Sequence, residues 1–213
     1  MKLVNAIAPA LFASAILSSA AFAETFEVTI TNTTAGQVIT PPVVLTHKAV
    51  KLFTLGQPAP EYLVPLAEDG DTSAFVGADA LDVVSDVVIA ESPILPGHSA
   101  TLTVETSSDH SYISLAGMFA TSNDAFVAIN GKPLNFNGTA SHFYANVYDA
   151  GSEANSEDCQ FIPGPPCGNG GIRDTNDAEG FVHIHSGIHG IKDLIPSHYS
   201  WNNPGALVSI KMK

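Results

Sequence analysis

Three acidic residues in one stretch, TSNDAFVAINGKPLNFNGTASHFYANVYDAGSE from Thr121 to Glu153, are placed to gather around a hard cation. Asp124 follows Ser122-Asn123 and opens an apolar run from Ala125 to Ile129, while Asp149 and Glu153 lie four apart around Ala150-Gly151-Ser152. Phe126, Val127 and Ile129 on one side, and Phe143, Tyr144, Val147 and Tyr148 on the other, read as strands. Asp124 then stands at the mouth of one strand and Asp149 at the exit of another, and the small residues after Asp149 let Glu153 turn back towards the same spot. Converging carboxylates repel one another unless a cation lies between them, and oxygen ligands of this kind suit calcium. The plain alternative is three solvated turn residues. Asp and Asn favour turns by hydrogen-bonding local backbone, and the spacing lacks the density of an EF-hand loop.

A second constellation is FVHIHSGIHG, residues 181 to 190. His183 and His185 are two apart and share a side of a strand. His189 follows a glycine-containing turn, His198 comes nine residues later, and His47 closes an earlier strand. Clustered imidazoles suit copper or zinc rather than calcium, so His183, His185 and His189 form a separate metal expectation. The alternative is a strand face whose histidines hydrogen-bond their neighbours.

The elements that must carry these groups are mostly strands. Residues 1–23 read as a secretory leader, with Lys2, an apolar centre from Ile7 to Leu17 and an Ala21-Phe22-Ala23 cleavage pattern. Residues 24–213 are expected to form one domain with no membrane span. The chain has 8 Lys and Arg against 21 Asp and Glu, a formal net charge of −13. Such a balance disfavours nucleic acid and anionic membrane surfaces, which select cationic patches, although it also serves simple solubility. Phe26, Val28 and Ile30 alternate with Glu27, Thr29 and Thr31, a half-buried strand. Pro41-Pro42 belongs at an edge or a lead-in before the short strand Val43–His47. Further strands are expected at Val87–Ala90, Ala100–Glu105, Tyr112–Ala120 and Ala206–Met212. Residues 60–84 are the one helical tract, with Gly70 as a stop and Thr72 or Ser73 capping a second helix. These helices are expected to cover an edge or end of an antiparallel β-sandwich of about eight strands.

Cys159 and Cys167 bracket a Pro- and Gly-rich loop, CQFIPGPPC, and in an exported chain are expected to form a disulfide. Gly168-Asn169-Gly170-Gly171 lacks the Lys-Ser/Thr of a phosphate loop, and neither a G-x-S-x-G elbow nor an H-E-x-x-H helix is present. Asp149 and Glu153 as a glycosidase pair would need a sugar cleft, for which Trp201 alone speaks. The chain reads as a non-enzyme.

The blocks ITNTTAGQVITPPVVLTHKAVKLFTLGQPA, LAEDGD, LPGHSATLTV, SNDAFVA and YDAGSEAN, in this order over residues 25 to 210, resemble the spondin domain in its bacterial, single-domain form. The resemblance implies a C2-like β-sandwich with calcium held by acids at the loop end, and an extracellular or periplasmic protein as partner. Asp124 matches the family's Asp-aromatic-Val-Gly block, and Asp149 and Glu153 its Asp-Ala-Gly-Thr-acid block. Ala125 replaces the usual aromatic and Ala128 the usual glycine, and neither change removes a carboxylate. A Val-His-x-His segment of the family resembles residues 182–185, with no ligand role carried over.

Overall fold

The computed structural model describes residues 23–107 and 109–213; the expected leader lies outside them except for its last residue. Nine strands form the fold: β1 (Glu24–Asn32), β2 (Val43–His47), β3 (Val84–Ile89), β4 (Ser99–Thr106), β5 (Tyr112–Met118), β6 (Ala125–Pro133), β7 (Ser141–Asp149), β8 (His183–Ile184) and β9 (Ala206–Met212). Their order is β3-β2-β5-β6-β7-β9-β1-β4, with β8 alongside β7 and all pairs antiparallel. The expected all-β architecture is what forms.

The hinge of this order is β7. Its first half, Ser141 to Ala145, pairs with β9, whereas Asn146 to Asp149 pair with β6 on the opposite edge. One strand therefore belongs to both layers. Between the layers lies a core that includes Phe26, Val28 and Ile30 from β1, Val127 from β6, Val147 from β7 and Val208 from β9. The alternation read in β1 is the alternation observed, with Phe26, Val28 and Ile30 fully buried.

The tract 60–84 departs from expectation. Its regular helix is α1 (Val64–Asp69), stopped by Gly70, whose φ of 68° is left-handed and whose N–H returns to the Leu66 carbonyl. The second expected helix is replaced by two 3-10 turns, Ser73–Phe75 and Ala78–Ala80; Thr72 precedes the first without a side-chain cap. Of the apolar stripe assigned to it, Phe75 is buried while Val76 and Leu81 are 73% and 58% exposed. The helix α1 covers a face, and the second 3-10 turn lies against the edge strand β3. Leu63, Leu66 and Phe75 pack with Leu52 and Phe53 on the outer face made by Val43, Leu45, Ala116, Phe126 and Ala128. Covered on both faces, β2 is buried at all 5 positions instead of alternating. Pro41-Pro42 leads into this interior strand. A further short helix, α2 (Pro196–Tyr199), lies outside the expected tract.

Candidate functional site

Asp149 is the last residue of β7, and the ladder sets its neighbours. Across one edge it pairs with Ala125, which follows Asp124; across the other it pairs with His183. Directly paired residues share a face, so the acidic and histidine constellations meet at one carboxylate.

The loop after β7 folds back over Asp124. Oδ2 of Asp124 accepts the Ser152 and Glu153 N–H groups at 2.7 and 3.0 Å and the Ser152 hydroxyl at 3.2 Å. Oδ1 of Asp149 accepts the Gly151 N–H at 2.7 Å. Gly151 is required here. Its φ is +65°, and a Cβ would lie 2.4 Å from the Phe181 carbonyl oxygen. Glu153 turns its carboxylate to the Asp174 N–H at 2.7 Å. Asp124, Asp149 and Glu153 thus gather at one end of the sandwich, exposed by 0%, 0% and 1%. Among buried side-chain atoms of the described residues, Oδ1 of Asp124 and Nε2 of His185 have no hydrogen-bond partner.

Burial sets the electrostatics. It pushes Asp124 up to about 8, with the Asp149 charge adding, against the Glu153 and Ser152 N–H groups that favour the anion. Burial likewise takes Glu153 to about 8; the Asp174 N–H opposes it, and the charges of Glu68 and Asp124 reinforce it. Asp149 is raised by burial, with Glu179 adding and with Asn155 and His183 opposing. The buried His185 ring falls to about 3, through loss of hydration first and then through His183 and His189.

The histidines separate into different roles. His183 is half-buried and its Nε2 lies 3.7 Å from Asp149 Oδ1, while His185 Nε2 lies 3.8 Å from Asp149 Oδ2. The pair does share one side, as its spacing implies. His189 does not join it: its exposed ring faces Glu157 at 3.9 Å, because residues 189–191 turn away to bind that carboxylate. His198 is exposed on α2 beside Tyr199. His47 hydrogen-bonds Ser114 at the Tyr112 end of the β2–β5 ladder, opposite the Met118 end that adjoins the site. Trp201 is 9% exposed and packs between Phe119 and His185, so it belongs to the core and offers no open platform for a sugar.

Among the described residues, the group whose ligand atoms all lie within 4.8 Å of one another is Asp149, Glu179 and His183, and this group is able to hold a metal ion. Asp124 and Glu153 stand outside it. Glu179 falls in a turn-rich acidic run, where an acid is ordinarily solvated; its position four residues before His183, just ahead of β8, is the signal that marks it. Glu157 carried no signal. It is buried, has a left-handed φ of 54°, and accepts the N–H groups of His189, Gly190 and Ile191. Glu68, also buried, is clasped by Arg173 at 2.6 Å. Cys159 and Cys167 are joined as a disulfide. No helix among the described residues is long and apolar enough to cross a membrane. No protein-family model matches the chain, and no curated protein is significantly similar to it.

Proposed function

We propose that the chain is an exported, non-enzymatic, spondin-like module that binds calcium through Asp124, Asp149 and Glu153 and presents the loops so ordered to a partner protein. The observation that carries this reading is Oδ1 of Asp124: fully buried, without a hydrogen-bond donor, in the company of two other buried carboxylates. Buried like charges are tolerated when a cation neutralises them, and an all-oxygen set favours a hard ion. Asp124 anchors the loop through Ser152 and Glu153, and Glu153 holds the next loop through Asp174. An ion among these acids would therefore rigidify the whole end of the sandwich. Secretion or a periplasmic location is supported by the leader pattern and by the disulfide, which persists in oxidising compartments.

Calorimetric titration of chelator-treated protein tests the reading. Calcium binding is expected in the parent chain and is expected to vanish when Asp124→Asn and Asp149→Asn are combined. Retained affinity in that double variant would place the ion elsewhere.

A further inference from the structure

We propose that His183 Nε2, Asp149 and Glu179 form a second cation centre, taking a borderline divalent metal ion of the zinc class, at the solvent side of the same end of the sandwich. Nδ1 of His183 lies 3.0 Å from the Ile184 carbonyl oxygen. A carbonyl only accepts, so Nδ1 carries the proton and the neutral ring keeps its lone pair on Nε2. Metal-ligating histidines are commonly held from behind in this manner. The 3.7 Å from Nε2 to Asp149 Oδ1 is too long for a hydrogen bond. It is close to the roughly 3.3–3.6 Å that separates two ligands of one tetrahedral zinc with bonds of about 2.0–2.2 Å. Glu179 brings a carboxylate oxygen within 4.8 Å of both partners. Its exposed side chain has the freedom to close the remaining distance of about 1 Å that this geometry asks for.

The surroundings are arranged for the same ion. Asn155 Nδ2 donates to Asp149 Oδ2 at 2.6 Å and to Glu179 Oε1 at 3.1 Å, tying two of the ligands together. His185 stands behind Asp149. Its side chain is 2% exposed and its Nε2, without a partner, is aimed at Asp149 Oδ2 from 3.8 Å. Since His185 Nδ1 accepts the Gly187 N–H at 2.9 Å, Nε2 must be the protonated nitrogen of the neutral ring. His185 is therefore a positioning donor and not a ligand, suited to hold Asp149 once a metal fixes it as an anion. His189, turned towards Glu157, takes no part.

One imidazole nitrogen with two carboxylates is a mixed set that calcium does not select and that zinc, or copper still more tightly, accepts. The three ligands leave the exposed side free for water, which completes the shell. This centre shares Asp149 with the proposed calcium site but does not rest on that reading, since Asp124 and Glu153 lie outside its ligand group.

The test is titration of the purified, chelator-treated protein with Co²⁺, followed by visible absorption, and with Zn²⁺ against a chromophoric chelator, all in millimolar calcium. One equivalent of cobalt is expected, displaced by zinc. His183→Ala and Glu179→Gln should each weaken zinc binding by at least ~10-fold, while His189→Ala leaves it unchanged. Glu179 is solvent-exposed, so its variant probes the site without disturbing the core. Unchanged zinc affinity in either ligand variant, or an equal loss in His189→Ala, overturns the assignment. Calcium titration of His183→Ala, expected to match the parent, shows the fate of the calcium reading separately.

Discussion

Chelated protein should lose stability as the pH rises from 6.5 to 8, and calcium should offset part of that loss. Asp124 and Glu153 sit at about 8 in the folded chain, against 3.8 and 4.5 for the free groups. The folded state thus retains protons that the unfolded chain has released, and raising the pH favours unfolding until both acids ionise in place. His185 acts in the opposite sense but elsewhere. Its value of about 3, against 6.5 unfolded, removes stability only as the pH falls below 6.5. Between 6.5 and 8 the slope therefore belongs to the carboxylates. At about 1.4 kcal/mol per pH unit for each group, Asp124 and Glu153 contribute about 2 kcal/mol apiece over this window, on the order of 4 together. Asp149, also raised, acts in the same direction. Calcium at a hundredfold its dissociation constant adds about 2.7 kcal/mol, and because it binds the ionised acids its contribution grows with pH. Urea denaturation at stepped pH, in chelator and in calcium, measures both curves. Asp124→Asn should remove one group's share of the slope in chelator, about 1.4 kcal/mol per pH unit, and lose the calcium increment. Stability that is flat or rising between pH 6.5 and 8 in chelator would refute the electrostatic reasoning.

Gly151→Ala places a Cβ against the Phe181 backbone at a positive φ, and is expected to cost about 2–4 kcal/mol in urea denaturation. Because Phe181 leads directly into β8, the same variant should weaken binding of calcium and of zinc together. Glu157→Gln removes the charge from an acceptor of three backbone N–H groups, so a loss of about 2–3 kcal/mol and faster proteolysis within residues 187–195 are expected. Replacing Cys159 and Cys167 together by Ala opens a loop of sequence separation 8, and thermal melts should report a loss of about 2 kcal/mol.

The strands were legible because their signal is local. Alternation identifies β1, and the closing strand Ala206–Met212 is read residue for residue. The role of residues 71–84 was hidden because an apolar count at helical spacing does not reveal which face is covered. Phe75 alone turns inward, and the chain continues in 3-10 turns before entering β3. In the site, Asp124 and Asp149 were readable from their places at strand ends. Glu157 was not, since it lies in a loop and acts on residues 189–191 distant in sequence, and the role of Glu179 arises from register: β8 has only 2 residues, and its pairing with Tyr148 and Asp149 sets His183 beside the acid. No periodicity exists in so short an element. The same register explains why two constellations read as separate meet at Asp149.

The buried polar groups at this end of the sandwich are sorted by their distance from Asp149. Asn32 donates to the Gln37 and Ile94 carbonyls, Gln37 to those of Thr121 and Tyr199, and Ser122 to that of Phe119. Asn123 receives the Glu157 N–H, and Thr121 donates to the Pro165 carbonyl. These neutral groups are matched by the protein itself, as burial demands. The two unmatched buried side-chain atoms among the described residues are Asp124 Oδ1 and His185 Nε2, and both belong to the surroundings of Asp149. If this end were simply a polar seam between loops, its unsatisfied atoms would be expected away from Asp149 as well. Their confinement to the neighbourhood of one carboxylate is what the proposed cation would account for, by fixing Asp149 as the anion that accepts from His185 Nε2.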